Sequence, residues 1–135
     1  MPTPNTDVKL GVGNVDIVYA IQNLKTEATA SVTVSNGGTT SGEYYLNGNM
    51  LVGLLIPSTW DGGNITIQGS DVSGGTFVDI YDSVGSIVTV TVGGGSRIVS
   101  LTGNPLQAVA NVPYIKLKTA SAVGADRTIK ILAKG

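Results

Sequence analysis

Carboxylates lead the short inventory of side chains able to do chemistry: Asp61, Asp71, Asp79 and Asp82 fall close together in the chain. Two of them flanking a glycosidic bond would serve as acid and base, or as acid and nucleophile. Asp61 and Asn64 would offer oxygens to calcium, but Asp61-Gly62-Gly63-Asn64 supplies too few for an ion that takes about six to eight. Asp61 and Asp82 therefore read as turn residues whose side chains accept hydrogen bonds from nearby backbone amides. Nothing else supplies a nucleophile or base. The chain has no Cys and no His, which removes thiolate chemistry, the histidine triad, the imidazole metal ligand and a neutral-pH switch.

Glycine motifs fail on their spacing. Gly11-Val12-Gly13 has Asp16 where a dinucleotide fingerprint needs glycine, and no Gly-Lys-Ser or Gly-Lys-Thr follows Gly93-Gly94-Gly95. None of the 11 serines sits in a Gly-x-Ser-x-Gly elbow. The expectation is a chain that is not an enzyme, with no catalytic residue, no cofactor and no metal ligand. Trp60, the single tryptophan, follows Pro57 and reads as a core or interface anchor because it has the largest apolar area to bury.

Charge is unevenly spread. Residues 27–96 hold six acids and no Lys or Arg, whereas residues 97–135 hold six bases and one acid. Nucleic acid is a poor partner for the basic third, which has one aromatic, Tyr114, and no arginine cluster. Opposite charges on paired strands explain the asymmetry within one chain. The same asymmetry also fits a contact between subunits, one acidic face meeting a neighbour's basic one through Lys116 and Lys118.

The elements that must carry these residues are strands. Val, Ile and Thr make up 43 of 135 residues, and glutamate occurs only at Glu27 and Glu43, a composition that suits pleated sheet and excludes a helical bundle. Residues 1–26 form an N-terminal arm and lead-in, with Pro2, Pro4 and Gly11 in an extended start and a short apolar segment at Val15–Ala20. Residues 27–135 form one sheet domain. Alternation places strands at Glu27–Val34, Ile65–Gln68, Thr76–Tyr81, Ile87–Val92, Arg97–Leu101, Tyr114–Thr119 and Arg127–Leu132. Asn47-Gly48-Asn49 predicts a hairpin between Glu43–Leu46 and Met50–Ile56, and Gly93–Ser96 predicts another between Ile87–Val92 and Arg97–Leu101. Thr102–Val112, which contains Pro105 and lacks alternation, reads as a crossover loop. Eight to ten strands with this punctuation predict an all-β antiparallel sandwich or jelly roll. Met1–Leu10 lacks the pattern of a signal peptide, and the longest apolar run, Met50–Ile56, is far short of the about 20 residues that span a bilayer. The expectation is a product of the cytoplasm with no membrane partner.

Three runs of the sequence carry a resemblance. They are Leu51-Val52-Gly53-Leu54-Leu55-Ile56-Pro57-Ser58-Thr59-Trp60-Asp61-Gly62, Ile65-Thr66-Ile67-Gln68-Gly69-Ser70 and Gly75-Thr76-Phe77-Val78-Asp79-Ile80-Tyr81-Asp82. Together with Ile115–Ser121 and Ala125–Ile129, they resemble a recurrent module of tailed-bacteriophage virion proteins over residues 43–133. The resemblance implies a jelly-roll sandwich in a phage particle, as a head decoration or fibre-base protein, with no catalytic residues to carry over. Residues 1–40 resemble nothing in the module.

Two functions follow from this. In the first, the chain binds the major capsid protein or neighbouring virion subunits and stabilises the particle. Pro2, Pro4, Val8 and Leu10 would then lie along the partner, Trp60, Lys116 and Lys118 would join the contact, and the subunits would form a homo-oligomer, most simply a trimer. In the second, a fibre or tail sandwich reads host glycans through Trp60, Tyr44, Tyr45 and Tyr81. The first reading also explains the arm, the strand edges and the missing chemistry.

Overall fold

The computed structural model describes residues 28–135, so Pro2, Pro4, Val8, Leu10, Val15–Ala20 and the boundary at residue 26 lie outside the described residues. Within them the alternating segments form nine strands and one short helix: β1 (Ala28–Val34), β2 (Tyr44–Tyr45), β3 (Met50–Ile56), β4 (Ile65–Ser70), β5 (Val78–Asp79), β6 (Thr89–Val90), β7 (Arg97–Ser100), α1 (Gly103–Val109), β8 (Tyr114–Thr119) and β9 (Arg127–Lys134).

The described chain pairs from the outside in. β1 lies antiparallel to β9, β2 to β8, β3 to β7, and β4 to both β5 and β6, as in a long ribbon folded back on itself. Two further pairings, β9 with β3 and β8 with β4, roll that ribbon into two antiparallel sheets. One has the order β1-β9-β3-β7; the other runs β2-β8-β4-β5, with β6 also on β4. The inner faces share one core. Val34, Leu54 and Ile131 from the four-stranded sheet and Ile67, Ile115 and Leu117 from the five-stranded sheet have no exposed surface, and each such side chain contributes about 1.5–3 kcal/mol through burial.

The all-β expectation holds, with three corrections. Asn47 and Gly48 take positive φ (53° and 78°) and the Asn49 amide donates to the Leu46 carbonyl at 2.9 Å, so the turn forms as its residues require. Its flanking strands do not pair, because β2 belongs to the five-stranded sheet and β3 to the four-stranded one. The Leu46 amide is held by the Pro113 carbonyl at 2.8 Å, and the chain then crosses to the opposite layer. Gly93–Ser96 does the same between β6 and β7. There an added Cβ on Gly95 would strike the Pro57 carbonyl, so glycine is what lets the crossing pass so close.

The third correction is α1 within the expected loop. Pro105 occupies its first turn, where amides have no helical partner and a missing N–H costs nothing. Val109 is buried and Leu106 packs beside it on the core. With a single apolar pair at helical spacing in seven residues, the segment offers almost no periodicity to detect.

Candidate functional site

The outer face of the five-stranded sheet is built by β8, whose alternation buries Ile115 and Leu117 and turns Tyr114, Lys116 and Lys118 outward. Tyr114 stacks on Tyr45 of β2 with ring centroids 4.7 Å apart. The Lys116 ammonium stands 4.6 Å from the centre of the Phe77 ring, a cation–π contact. On β4 and β5 the Gln68 amide donates to Asp79 at 3.1 Å. Glu43 accepts hydrogen bonds from the Ser73 hydroxyl and, at 2.8 Å, from the Gly74 amide. Those bonds, with the charge of Lys116 adding to them, hold its carboxyl below the usual range. Lys116 is thus engaged within its own chain, and Lys118 lies opposite Thr66 of β4 with Thr40 on its other side.

At one end, Pro57 closes β3 and Trp60 folds over its own turn. Its indole donates to the Gly63 carbonyl at 2.9 Å, a Cβ on Gly62 would stand 2.6 Å from the ring, and the ring packs partly buried against the core. Asp61 straps this turn to β9: it accepts from Arg127 Nε at 3.0 Å and from the Gly124 amide at 2.9 Å, while Arg127 Nη1 donates to Thr59 at 2.8 Å. The hydrogen bond from Arg127 is the main reason the Asp61 carboxyl is held below its usual range. Asp82 plays the local turn role expected of it, accepting from the Val84 and Ser86 amides at 3.0 and 2.9 Å. Asp61 bonds to partners remote in sequence instead.

The four aromatics of a glycan site do not converge. Tyr44 packs on the core, Tyr45 lies on the five-stranded face, Trp60 lines a cleft of about 280 Å³ with Gly93 and Gly94, and Tyr81 lines a different one of about 220 Å³ with Asn104 and Gln107.

Two exposed features went unread in the sequence. The first is the outer face of the four-stranded sheet. Register places Leu55 beside Ile98 and Lys130, Leu132 beside Gly53, and Met50 beside Lys134. Gly53 has no side chain, and Leu132 lies over it at 3.4 Å from where a Cβ would be. An apolar stripe of Met50, Leu132, Leu55 and Ile98 therefore crosses three strands, with Ile98 61% exposed. Lys130 and Lys134 border it, and among the described residues no Asp or Glu stands on this face. The signal was present in Met50–Ile56, an apolar run with no alternation, which marks a strand needing cover on both faces.

The second feature is a small hairpin at residues 80–88. Tyr81 pairs with Ile87, the Val88 amide donates to the Ile80 carbonyl at 2.8 Å, and Asp82 braces the turn from inside. Tyr81, Val84 and Ile87 stand exposed on it, Val84 at 81%.

Neither a protein-family model nor a curated protein sequence matches the chain. Among solved structures, the crystal structure of the SPBc2 prophage-derived protein YomS is similar to it, with TM-score 0.47 and 10% identity over 80% of this chain and 95% of that one. Among the described residues no helix is long and apolar enough to cross a membrane.

Proposed function

We propose that the chain is a non-enzymatic structural protein of a tailed-phage particle that binds the capsid or neighbouring virion subunits and works as a homo-oligomer, most simply a trimer. One observation carries the assembly role: β3 is apolar on both faces, and among the described residues its inner face is buried while its outer face, with Met50 exposed and Leu55 half-buried, is covered only in part. Contiguous apolar surface rimmed by charge marks a protein contact. The virion setting comes from the resemblance of residues 43–133.

The jelly-roll type, part of the same proposal, is supported by the outside-in strand pairing, in which each successive pair lands in the other sheet. Residues 1–14, with their prolines, would extend along the partner. Purified protein mixed with particles that lack it is the test. Saturable binding at a fixed copy number per particle is expected; micromolar glycan affinity with no particle binding would overturn the reading.

A further inference from the structure

We infer that the 80–88 hairpin of one copy seats on the outer face of the four-stranded sheet of a second copy, a head-to-tail contact that specifies the homotypic part of the function proposed above and rests on it. Both surfaces belong to this chain, and they match in two respects. Tyr81 and Ile87 lie directly opposite each other with Val84 at the tip, a narrow apolar projection. The stripe of Met50, Leu132, Leu55 and Ile98 is an apolar track in which Leu132 lies over the bare backbone of Gly53.

Charge gives the second match. The hairpin carries Asp82, has Asp79 at its base and comes from a segment without Lys or Arg, whereas the receiving face carries Lys130 and Lys134 and no acid among the described residues. Two patches of like sign would repel, so the charges favour hairpin against face over hairpin against hairpin. Because the two surfaces differ, each copy keeps one unused half after pairing, and the contact closes only as a ring.

The experiment uses two full-length variants, Val84→Asn on the hairpin and Ile98→Asn on the face, each checked by thermal melting for an intact fold. Sedimentation velocity should show each alone dissociating at least tenfold more readily than the natural chain. Mixed in equal amounts they should form a dimer and nothing larger, since one intact hairpin meets one intact face. Association of both variants as tight as the natural chain's, or a mixture no better associated than its parts, would overturn the inference. Particle binding by a chain that stays monomeric would overturn it too, while leaving the structural role standing.

A photo-crosslinker at Ile98 (Ile98→p-benzoylphenylalanine), in mixed heavy- and light-isotope protein, identifies the occupant directly. Links to residues 80–88 of a second copy are expected. Links to residues 1–27 of either copy, or only to another protein, would overturn the assignment.

Discussion

The two sheets present outer faces of opposite character. On the five-stranded face, Tyr45 stacks on Tyr114, Lys116 on Phe77, Gln68 bonds Asp79, and Glu43 gathers Ser73 and Gly74. On the four-stranded face, Ile98, Leu55 and Leu132 lie among Lys130, Lys134 and hydroxyls such as Thr33 and Thr128, which bond each other at 3.0 Å. The difference begins in the central strands. β8 reads Tyr-Ile-Lys-Leu-Lys-Thr and spends every second residue on water, whereas β3 reads Met-Leu-Val-Gly-Leu-Leu-Ile and keeps nothing for it. An alternating strand completes its own surface; a continuously apolar one completes half and leaves the rest to whatever docks there.

The sharpest way to break this comparison is to cut the same side chain on each side of β3. Leu54 is fully buried and Leu55, the next residue, faces outward. Leu54→Ala should cost about 2–5 kcal/mol in chemical denaturation, and Leu55→Ala less than about 1.5 kcal/mol under dilute, monomeric conditions. Equal losses would mean that the outer face is covered within the monomer, and the contrast with the five-stranded face would go.

The alternation of β1, β4, β8 and β9 was legible residue by residue, because a sheet solvated on one side imposes period two on its sequence. Val32, Ile67, Leu117 and Ile129 are buried as their spacing predicts. What the local sequence does not hold is which strand each one meets. Asn47-Gly48 specifies a tight turn, yet the ladder partners of β2 and β3 come from the far half of the chain, so a hairpin signal became a bridge between layers. The engagement of Lys116 with Phe77 was hidden for the same reason, since it depends on β4 and β5 bringing residue 77 alongside β8. The outward stripe was written in Met50–Ile56, but its meaning needs the topology that leaves β3 only partly covered on one side.

A smaller effect tests how Gly53 shapes the receiving face. Gly53 lies there with the Val99 carbonyl 3.2 Å from where a Cβ would sit. Gly53→Val should destabilise by about 1–3 kcal/mol through crowding and also lift Leu132 out of the stripe. Retained stability with full association would show that the glycine is not what shapes this surface. On the opposite face, Phe77→Leu keeps the apolar bulk and removes the ring beneath Lys116, so the expected loss is only about 0.5–1 kcal/mol, readable from paired melts of the natural chain and a Lys116→Met background. Additive losses would deny the two residues a direct interaction.

Acid separates the two faces with the least force. Glu43 belongs to the five-stranded face, and its carboxyl is held below its ordinary range by the Ser73 hydroxyl and the Gly74 amide. A carboxyl depressed in the folded state binds its proton more readily once the chain unfolds, so it adds stability at pH above the unfolded value. That contribution fades as pH falls through the ordinary carboxylate range and is gone below the folded value. The described residues of the four-stranded outer face hold no carboxylate to respond in this way. Acidification should therefore loosen the Gly74 amide first, seen as faster hydrogen exchange there than in β3 or β9 and set against the intrinsic rate at each pH. Glu43→Gln should exchange fast at neutral pH and lose this dependence. Asp61, depressed by Arg127 at the end of the molecule, titrates by the same rule but reports at Gly124. The two amides then distinguish weakening of the face from weakening of the strap. Equal acid sensitivity in Glu43→Gln and the natural chain at Gly74 would detach the loop from Glu43, and the five-stranded face would no longer count as one that completes itself.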